Sequence, residues 1–318
     1  MRPIRAAVVG AGSFGQNHIR VIRQLEGVEL GAVVDIDPSR GTCTDVDRLA
    51  GNIEAAIVAT PTVTHGQVAA PLLEAGIDVL VEKPIAESSA AGERLARLAQ
   101  ERGRILQVGH LERFNPAVLA LEKAVTLPLF FEIHRLSVFT PRSLDVDVVL
   151  DLMIHDLDIV LSLTRELPNE IRAAGISVLS SRVDIANVRL SFASGCIANL
   201  TASRVSTEKV RKLRLFQPGE YISLDYQRQD AVALRVCENE ANGFVSQKLP
   251  VEAAEPLELE LKSFFAAVRD RSQPRVDAFQ ATNALRVAEA ILGKIKEHAD
   301  LVAETIRSAN LRNPKDVA

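Results

Sequence analysis

Up to about residue 110, short apolar runs alternate with stretches of helical period. The runs at 4–9, 30–34, 55–59, 79–81 and 105–108 are apolar on successive positions and predict strands buried on both faces. Between them, 14–25, 66–75 and 89–102 predict amphipathic helices, the last with a serine available as N-cap. Such alternation predicts a parallel sheet covered on both faces. The rhythm then changes. Asn115-Pro116 pairs an N-cap with proline at the first helical position and opens a helix to about 124. A strand follows at 130–136, and 147–163 has helical period through Leu150, Ile154, Leu157 and Leu161. From 171 to about 236, strands succeed one another across turns such as Ala193-Ser194-Gly195 and Pro218-Gly219, with no long helix between, so they should pair antiparallel. Helices at 257–271 and 278–296 close the pattern. The fold class predicted is α/β: a doubly wound parallel sheet over 1–114, then an α/β domain over 115–318 with an open, mainly antiparallel sheet. An open sheet leaves a face to cover. A second copy of the chain is a common cover, so a homo-oligomer, dimer or tetramer, is expected.

Composition narrows the class. The 318 residues are 47% hydrophobic, enough for sizeable cores, and the formal net charge of -4 argues against nucleic acid as a partner. Cys43, Cys196 and Cys237 show no metal-ligand spacing and cannot all pair, which favours a reducing cytoplasmic setting with no metal site. Residues 1–5 lead straight into a strand, so no secretion signal is expected. The uncharged stretch 55–73 approaches membrane-span length. It contains Thr60, Pro61, Thr62, Thr64, His65, Gly66 and Pro71, and so reads as strand, turn and helix, with no membrane partner.

Gly10-Ala11-Gly12-Ser13-Phe14-Gly15 lies between the first strand and the first helix. Gly10 permits a tight turn, Gly12 lets backbone approach a pyrophosphate, and Gly15 lets helix pack on strand, with the helix N-terminus facing the phosphates. Asp35, 20 residues past Gly15, ends the second strand, placed to accept from a ribose diol and to repel a 2′-phosphate. NAD is therefore the expected cofactor, in a Rossmann domain. Only 19 residues, 36–54, separate Asp35 from the next strand, and they are poor helix material. A full helix and a further strand barely fit there, which would leave the adenine side open.

Two further groups carry chemistry. Val81-Glu82-Lys83-Pro84 ends an apolar strand, and a lysine at such a carboxyl end sits where ligands bind in open α/β sheets. Asp151 and His155 stand at i and i+4 on one helical face, with Asp158 three further on. A carboxylate beside an imidazole fixes its tautomer and favours its protonated form, so His155 can take a proton from a hydroxyl. The same pair reads equally as a helix-surface contact. Asp156 is expected to be solvated, His18 to be packing, and His65 to open a helix. His110 and His134 have no partner visible in sequence, and His298, in a charged C-terminal segment, is expected to be exposed.

Together these residues resemble the glucose–fructose oxidoreductase/inositol dehydrogenase (Gfo/Idh/MocA) family over nearly the whole chain. The parts stand in family order: Gly10 to Gly15 with His18, Ala59-Thr60-Pro61 with His65, Glu82-Lys83-Pro84, 109–116, and Asp151 with His155. The glycine loop is generic, whereas Glu-Lys-Pro with Asp-x-x-x-His is specific. The resemblance implies that Lys83 and His155 are catalytic and that Asp151 supports them. It puts Gly10, Gly12, Ser13, Phe14, Gly15 and Asp35 against NAD. Thr60, Pro61, Thr62, His65, Glu82, Lys83 and Pro84 would complete that site. The glycine pair that often precedes the aspartate is absent, and Val149-Leu150 stands there. Within the family, 109–116 and the basic stretch 202–214 are most similar to the UDP-N-acetylglucosamine 3-dehydrogenases of lipid A precursor synthesis. That similarity implies a nucleotide-sugar substrate oxidised at C3, the 3-keto product going on to an aminotransferase. Lys83, Arg113, Asn115, Asp151 and His155 would bind it, with Arg204, Lys209 and Arg211 toward the diphosphate. The basic stretch reads equally as a solvated strand. Alternatives are a dehydrogenase of a free sugar or inositol, a glycosidase working by transient oxidation, and a non-catalytic NAD-binding regulator.

Overall fold

The computed structural model describes residues 2–140, 146–240 and 242–308. The chain forms two compact units: 1–119 with 252–286, and 120–251 with 287–318.

In the first unit, β1 (Ile4–Val9), β2 (Val28–Val34), β3 (Ala55–Val58), β4 (Asp78–Glu82) and β5 (Leu106–Gly109) form a parallel sheet in the order β2-β1-β3-β4-β5. Helices α1 (Ser13–Ile22), α2 (His65–Glu74) and α3 (Ser89–Glu101) connect them. Ser88 caps α3 by accepting the Ala91 N–H at 3.3 Å. Between β2 and β3 there is neither a full helix nor a sixth strand. A single bridge from Val34 to Cys43 and one short helical turn, Val46–Leu49, occupy the segment. So β2 is the edge strand, consistent with the shortness of 36–54.

One segment pairs differently from the sequence division at 115. Helix α6 (Pro256–Asp270) belongs to the first unit. Its Leu261, Phe264, Phe265 and Val268 share one apolar cluster with Ala6 and Val8 of β1, Ile19 and Ile22 of α1, and Leu80 of β4. Burying these side chains is the strongest force available to the segment. Arg271 adds an ion pair to Asp78, which is itself buried.

The second unit is built on eight strands in the order β13-β12-β11-β10-β6-β9-β8-β7. They are β6 (Phe130–Val138), β7 (Glu170–Ile176), β8 (Ile185–Ser191), β9 (Ile197–Ser206), β10 (Val210–Gln217), β11 (Glu220–Asp225), β12 (Asp230–Val236) and β13 (Phe244–Lys248). All neighbours pair antiparallel except β6 and β9, which run parallel. Strict alternation puts Phe131, Ile133, Leu200, Leu213 and Leu215 inward and leaves Phe130, Glu132 and His134 on the other side. There the cross-strand register aligns Ile197, Phe130, Phe216, Tyr221 and Leu234 in one apolar row. Helix α4 (Pro116–Ala124) and the long α7 (Ala278–Ser308) each contain a boundary between the units. No helix among the described residues is long and apolar enough to cross a membrane.

A helical segment formed by a π turn (Val149–Met153) and α5 (Ile154–Thr164) is tied to this sheet by a buried ion pair. Arg135 donates from Nε and Nη2 to the two carboxyl oxygens of Asp156, both at 2.7 Å. Tyr226 O–H donates to the same carboxylate at 3.2 Å, and its ring lies 4.9 Å beneath the guanidinium. Asp156 is therefore not solvated, as its sequence neighbourhood suggests; it is 1% exposed, because β6 presents an inward arginine directly to it. Asp156→Ala should destabilise the protein by about 3–5 kcal/mol in urea unfolding, since it removes the carboxylate that a buried guanidinium holds in two hydrogen bonds. The double variant Arg135→Met/Asp156→Leu should regain most of that loss. Single variants within about 1 kcal/mol of wild type would contradict the clamp.

Candidate active site

The glycine loop is shaped by close approach. Gly10 has φ +92, and a Cβ there would stand 2.7 Å from the Ala59 carbonyl oxygen; a Cβ on Gly15 would fall 1.8 Å from the Gly10 oxygen. So α1 begins hard against the end of β1. Gly12 differs: nothing lies within 4 Å of its Cβ position. No side chain caps α1, and Ser13 and Phe14 are exposed beside it. Open space over uncapped helical N–H groups fits a pyrophosphate. Asp35 Oδ2 accepts the Ala11 N–H at 2.6 Å and Oδ1 accepts that of Asp37 at 2.9 Å, which holds the carboxylate beside the loop. NAD fits these residues.

The ends of β3 and β4 meet through His65. Its Nδ1 lies 2.8 Å from the Pro84 carbonyl oxygen and its Nε2 2.9 Å from that of Thr60. Burial holds the imidazole below its usual pKa against the pull of both carbonyls and of Glu82, and a neutral ring donates to only one carbonyl. Thr64 Oγ1 donates to the Pro61 carbonyl at 2.7 Å and tightens the same turn, which carries Pro61 and Thr62. The Lys83–Pro84 peptide is cis.

Glu82 sits at the inner end of this corner. His18 Nε2 donates to its Oε1 at 2.7 Å, and its Oε2 accepts the Lys83 backbone N–H at 3.3 Å. Burial pushes the Glu82 carboxyl up, but the hydrogen bond and charge of His18, with Lys83, outweigh it and hold it below its usual value. Gly109, opposite on β5, makes room: a Cβ there would lie 3.0 Å from Oε2. His18 is thus more than packing, although nothing near it in the sequence points to Glu82.

Arg113 and Asn115 are buried in the connection from β5 to α4. Asn115 Oδ1 accepts the Ala117 N–H at 3.1 Å and its Nδ2 donates to Glu112 at 3.2 Å, so this amide works as the helix cap.

In the second unit, Val149–Met153 forms a π turn that runs into α5. With i→i+5 bonding, residues four apart still share a turn, so Asp151 and His155 share a face, both half-buried. The turn stands where the family's glycine pair is missing. Asp147 Oδ1 accepts the Val183 N–H at 2.9 Å just ahead of it. The basic strand divides. Arg204 lies buried, donating to the carbonyls of Val146 and Val183 and 3.6 Å from Asp184, and so braces the chain entering the π turn instead of facing solvent. Arg214 pairs with Glu132 at 3.0 Å. Lys209 is exposed and Arg211 half-buried. Among the described residues no group of His, Cys, Asp and Glu could hold a metal ion.

Residues 4–110 match the family model described as "Oxidoreductase family, NAD-binding Rossmann fold", and 132–217 match the "GFO/IDH/MocA C-terminal domain". The chain is 38% identical over 232 residues to the UDP-N-acetylglucosamine 3-dehydrogenase of Acidithiobacillus ferrooxidans, covering 70% of this chain and 74% of that one. The solved structure of that organism's UDP-N-acetylglucosamine 3-dehydrogenase GnnA superposes with a TM-score of 0.89 at 30% identity, covering 94% of this chain and 99% of that one. An inositol 2-dehydrogenase of Acidothermus cellulolyticus is 29% identical over 193 residues, covering 54% and 57%. The space over Gly12 can then be tested. Gly12→Val should leave unfolding stability within about 1 kcal/mol of wild type but weaken NAD at least about tenfold in fluorescence titration. Unchanged affinity would mean that the pyrophosphate lies elsewhere. The loop geometry and these matches make the chain a member of the Gfo/Idh/MocA family of oxidoreductases, with NAD as its cofactor.

Proposed function

We propose that the protein oxidises a sugar hydroxyl, and that its substrate is UDP-N-acetylglucosamine, oxidised at C3. NAD, when bound, accepts the hydride. His155 takes the hydroxyl proton and Asp151 orients its ring. Lys83 offers an ammonium to the developing alkoxide, on a backbone held by Glu82 and flanked by His65, whose Nδ1 lies against the Pro84 carbonyl. Lys209 and Arg211 are the residues of the basic strand best suited to a diphosphate, since Arg204 is engaged with Asp184 and backbone. The observation that carries this reading is the similarity to the nucleotide-sugar dehydrogenase of A. ferrooxidans. The relation to inositol 2-dehydrogenases supports a second reading, oxidation of a free cyclitol or sugar. The apolar row on the outer sheet face supports association of two copies there. Free Cys43, Cys196 and Cys237 support a reducing, cytoplasmic setting.

Initial rates of NADH formation with UDP-N-acetylglucosamine, other UDP-sugars, free sugars and inositol decide between the readings. We expect kcat/KM for UDP-N-acetylglucosamine to exceed that for inositol by about 100-fold or more, roughly the worth of two charge-assisted contacts. Comparable values would favour the cyclitol. His155→Asn should lower kcat by about 10²–10⁴-fold while NAD affinity stays within about threefold. A variant turning over at the native rate would remove His155 from the mechanism.

A further inference from the structure

Within the first unit, under the influence of the Glu82 charge, lies a buried carboxyl that the proposed reaction does not use. Glu260 on α6 is 0% exposed, and neither of its carboxyl oxygens has a hydrogen-bond partner among the described residues. Gln107 on β5 donates to the backbone carbonyl of Glu260 at 3.4 Å, while neither its own buried Oε1 nor Nδ1 of His18 has a partner among the described residues. Helix α6 packs against α1 and against the turn Leu111–Phe114. The titratable and charged groups on the surrounding elements are His18 and Arg20 on α1, Glu82 and Lys83 at the end of β4, and His110, Glu112 and Arg113 after β5. The charge of Glu82 acts on Glu260 and repels it.

We propose that Glu260 is a positioning residue that holds a proton, and so leaves Glu82 as the one carboxylate behind Lys83. An ionised Glu260 would be a buried charge with no donor and a like charge beside it, which costs far more than a neutral acid in the same place. Two carboxyl groups that repel each other in a buried site favour a state with one proton between them. Glu82 has His18 and the Lys83 amide to stabilise its charge, and Glu260 has neither, so the proton stays on Glu260. Burial, and then the charge of Glu82, raise the Glu260 carboxyl well above its usual pKa. Were the proton on Glu82 instead, its two oxygens could not accept from His18 and Lys83 as a carboxylate does, and the backbone at Lys83 would lose that anchor. The location of the proton does not rest on the proposed role of Lys83.

Infrared difference spectroscopy on the full chain tests this directly. Wild-type protein at neutral pH should show the carbonyl stretch of a buried protonated carboxyl, and Glu260→Gln should lose it. In Glu82→Gln the band should persist but titrate away at lower pH, because the repelling charge is gone; that comparison decides the matter if Glu260→Gln fails to fold. Thermal unfolding across pH gives a second readout. A raised folded-state pKa stabilises below the unfolded value of roughly 4.3, and that stability is lost as pH rises through the folded value. The Tm of Glu260→Gln relative to wild type should therefore climb with pH. A neutral-pH spectrum without the band, a band that survives Glu260→Gln, or a Tm difference flat in pH would overturn the proposal. Absence of the band in a protein that oxidises a sugar hydroxyl sinks the proton alone; presence of the band without turnover sinks the reaction alone.

Discussion

A carboxylate at the inner end of β4 must be compensated, and much of the first unit answers to that requirement. Glu82 precedes Lys83 and is nearly surrounded. The α1 helix supplies His18, whose ring is wholly buried and whose Nε2 reaches Glu82. Strand β5 supplies a glycine, Gly109, where any side chain would crowd the carboxyl. The carboxylate in turn accepts the Lys83 amide, so the charge that is hard to bury also stiffens the backbone carrying the lysine. His18 can reach it because α1 starts against β1, and α1 can start there because Gly10 and Gly15 have no side chains. The loop that suits a dinucleotide and the corner that holds Lys83 thus depend on one packing arrangement.

The second unit meets a similar requirement differently. His155 and Asp151 lie on a helical segment whose first turn is π, in a stretch without glycine. Its place on the sheet is set one residue past His155, where Asp156 is fixed to Arg135 and Tyr226. A buried ion pair of this kind adds little net stability but allows few alternative alignments. Arg204 holds the preceding chain through the Val146 and Val183 carbonyls. Residues flanking the proposed base are therefore fixed by polar contacts in the core, while the base itself stays half-exposed.

Much of the fold was legible in the amino-acid order. Apolar runs on successive residues marked β1 to β5, and turn residues marked the strands after 171, because burial on two faces or one leaves a period of its own. Asn115-Pro116 announced α4, since a cap and a fixed φ act locally. The alliance of α6 with the first unit was not legible. An apolar helix face carries no record of which sheet it will cover, and Phe264 and Phe265 could have packed on either. Asp156 looked solvated because its partner stands 21 positions away on another element. The parallel pairing of β6 with β9 was hidden for a related reason: strands without helices between them usually run antiparallel, and here α5, β7 and β8 form the crossover.

By itself the sequence determined the two kinds of sheet, the glycine loop with Asp35, and the two stations of polar residues at Lys83 and at Asp151 with His155. These follow from periods, backbone freedom and short spacings, which act within a few residues. Only the tertiary structure decided what stands behind them: His18 and Glu260 around Glu82, Arg135 beneath Asp156, and Arg204 turned inward. Such contacts join residues far apart in the chain, and burial alone makes them matter, since a charge that water would tolerate anywhere on the surface must find a partner or a proton once water is excluded.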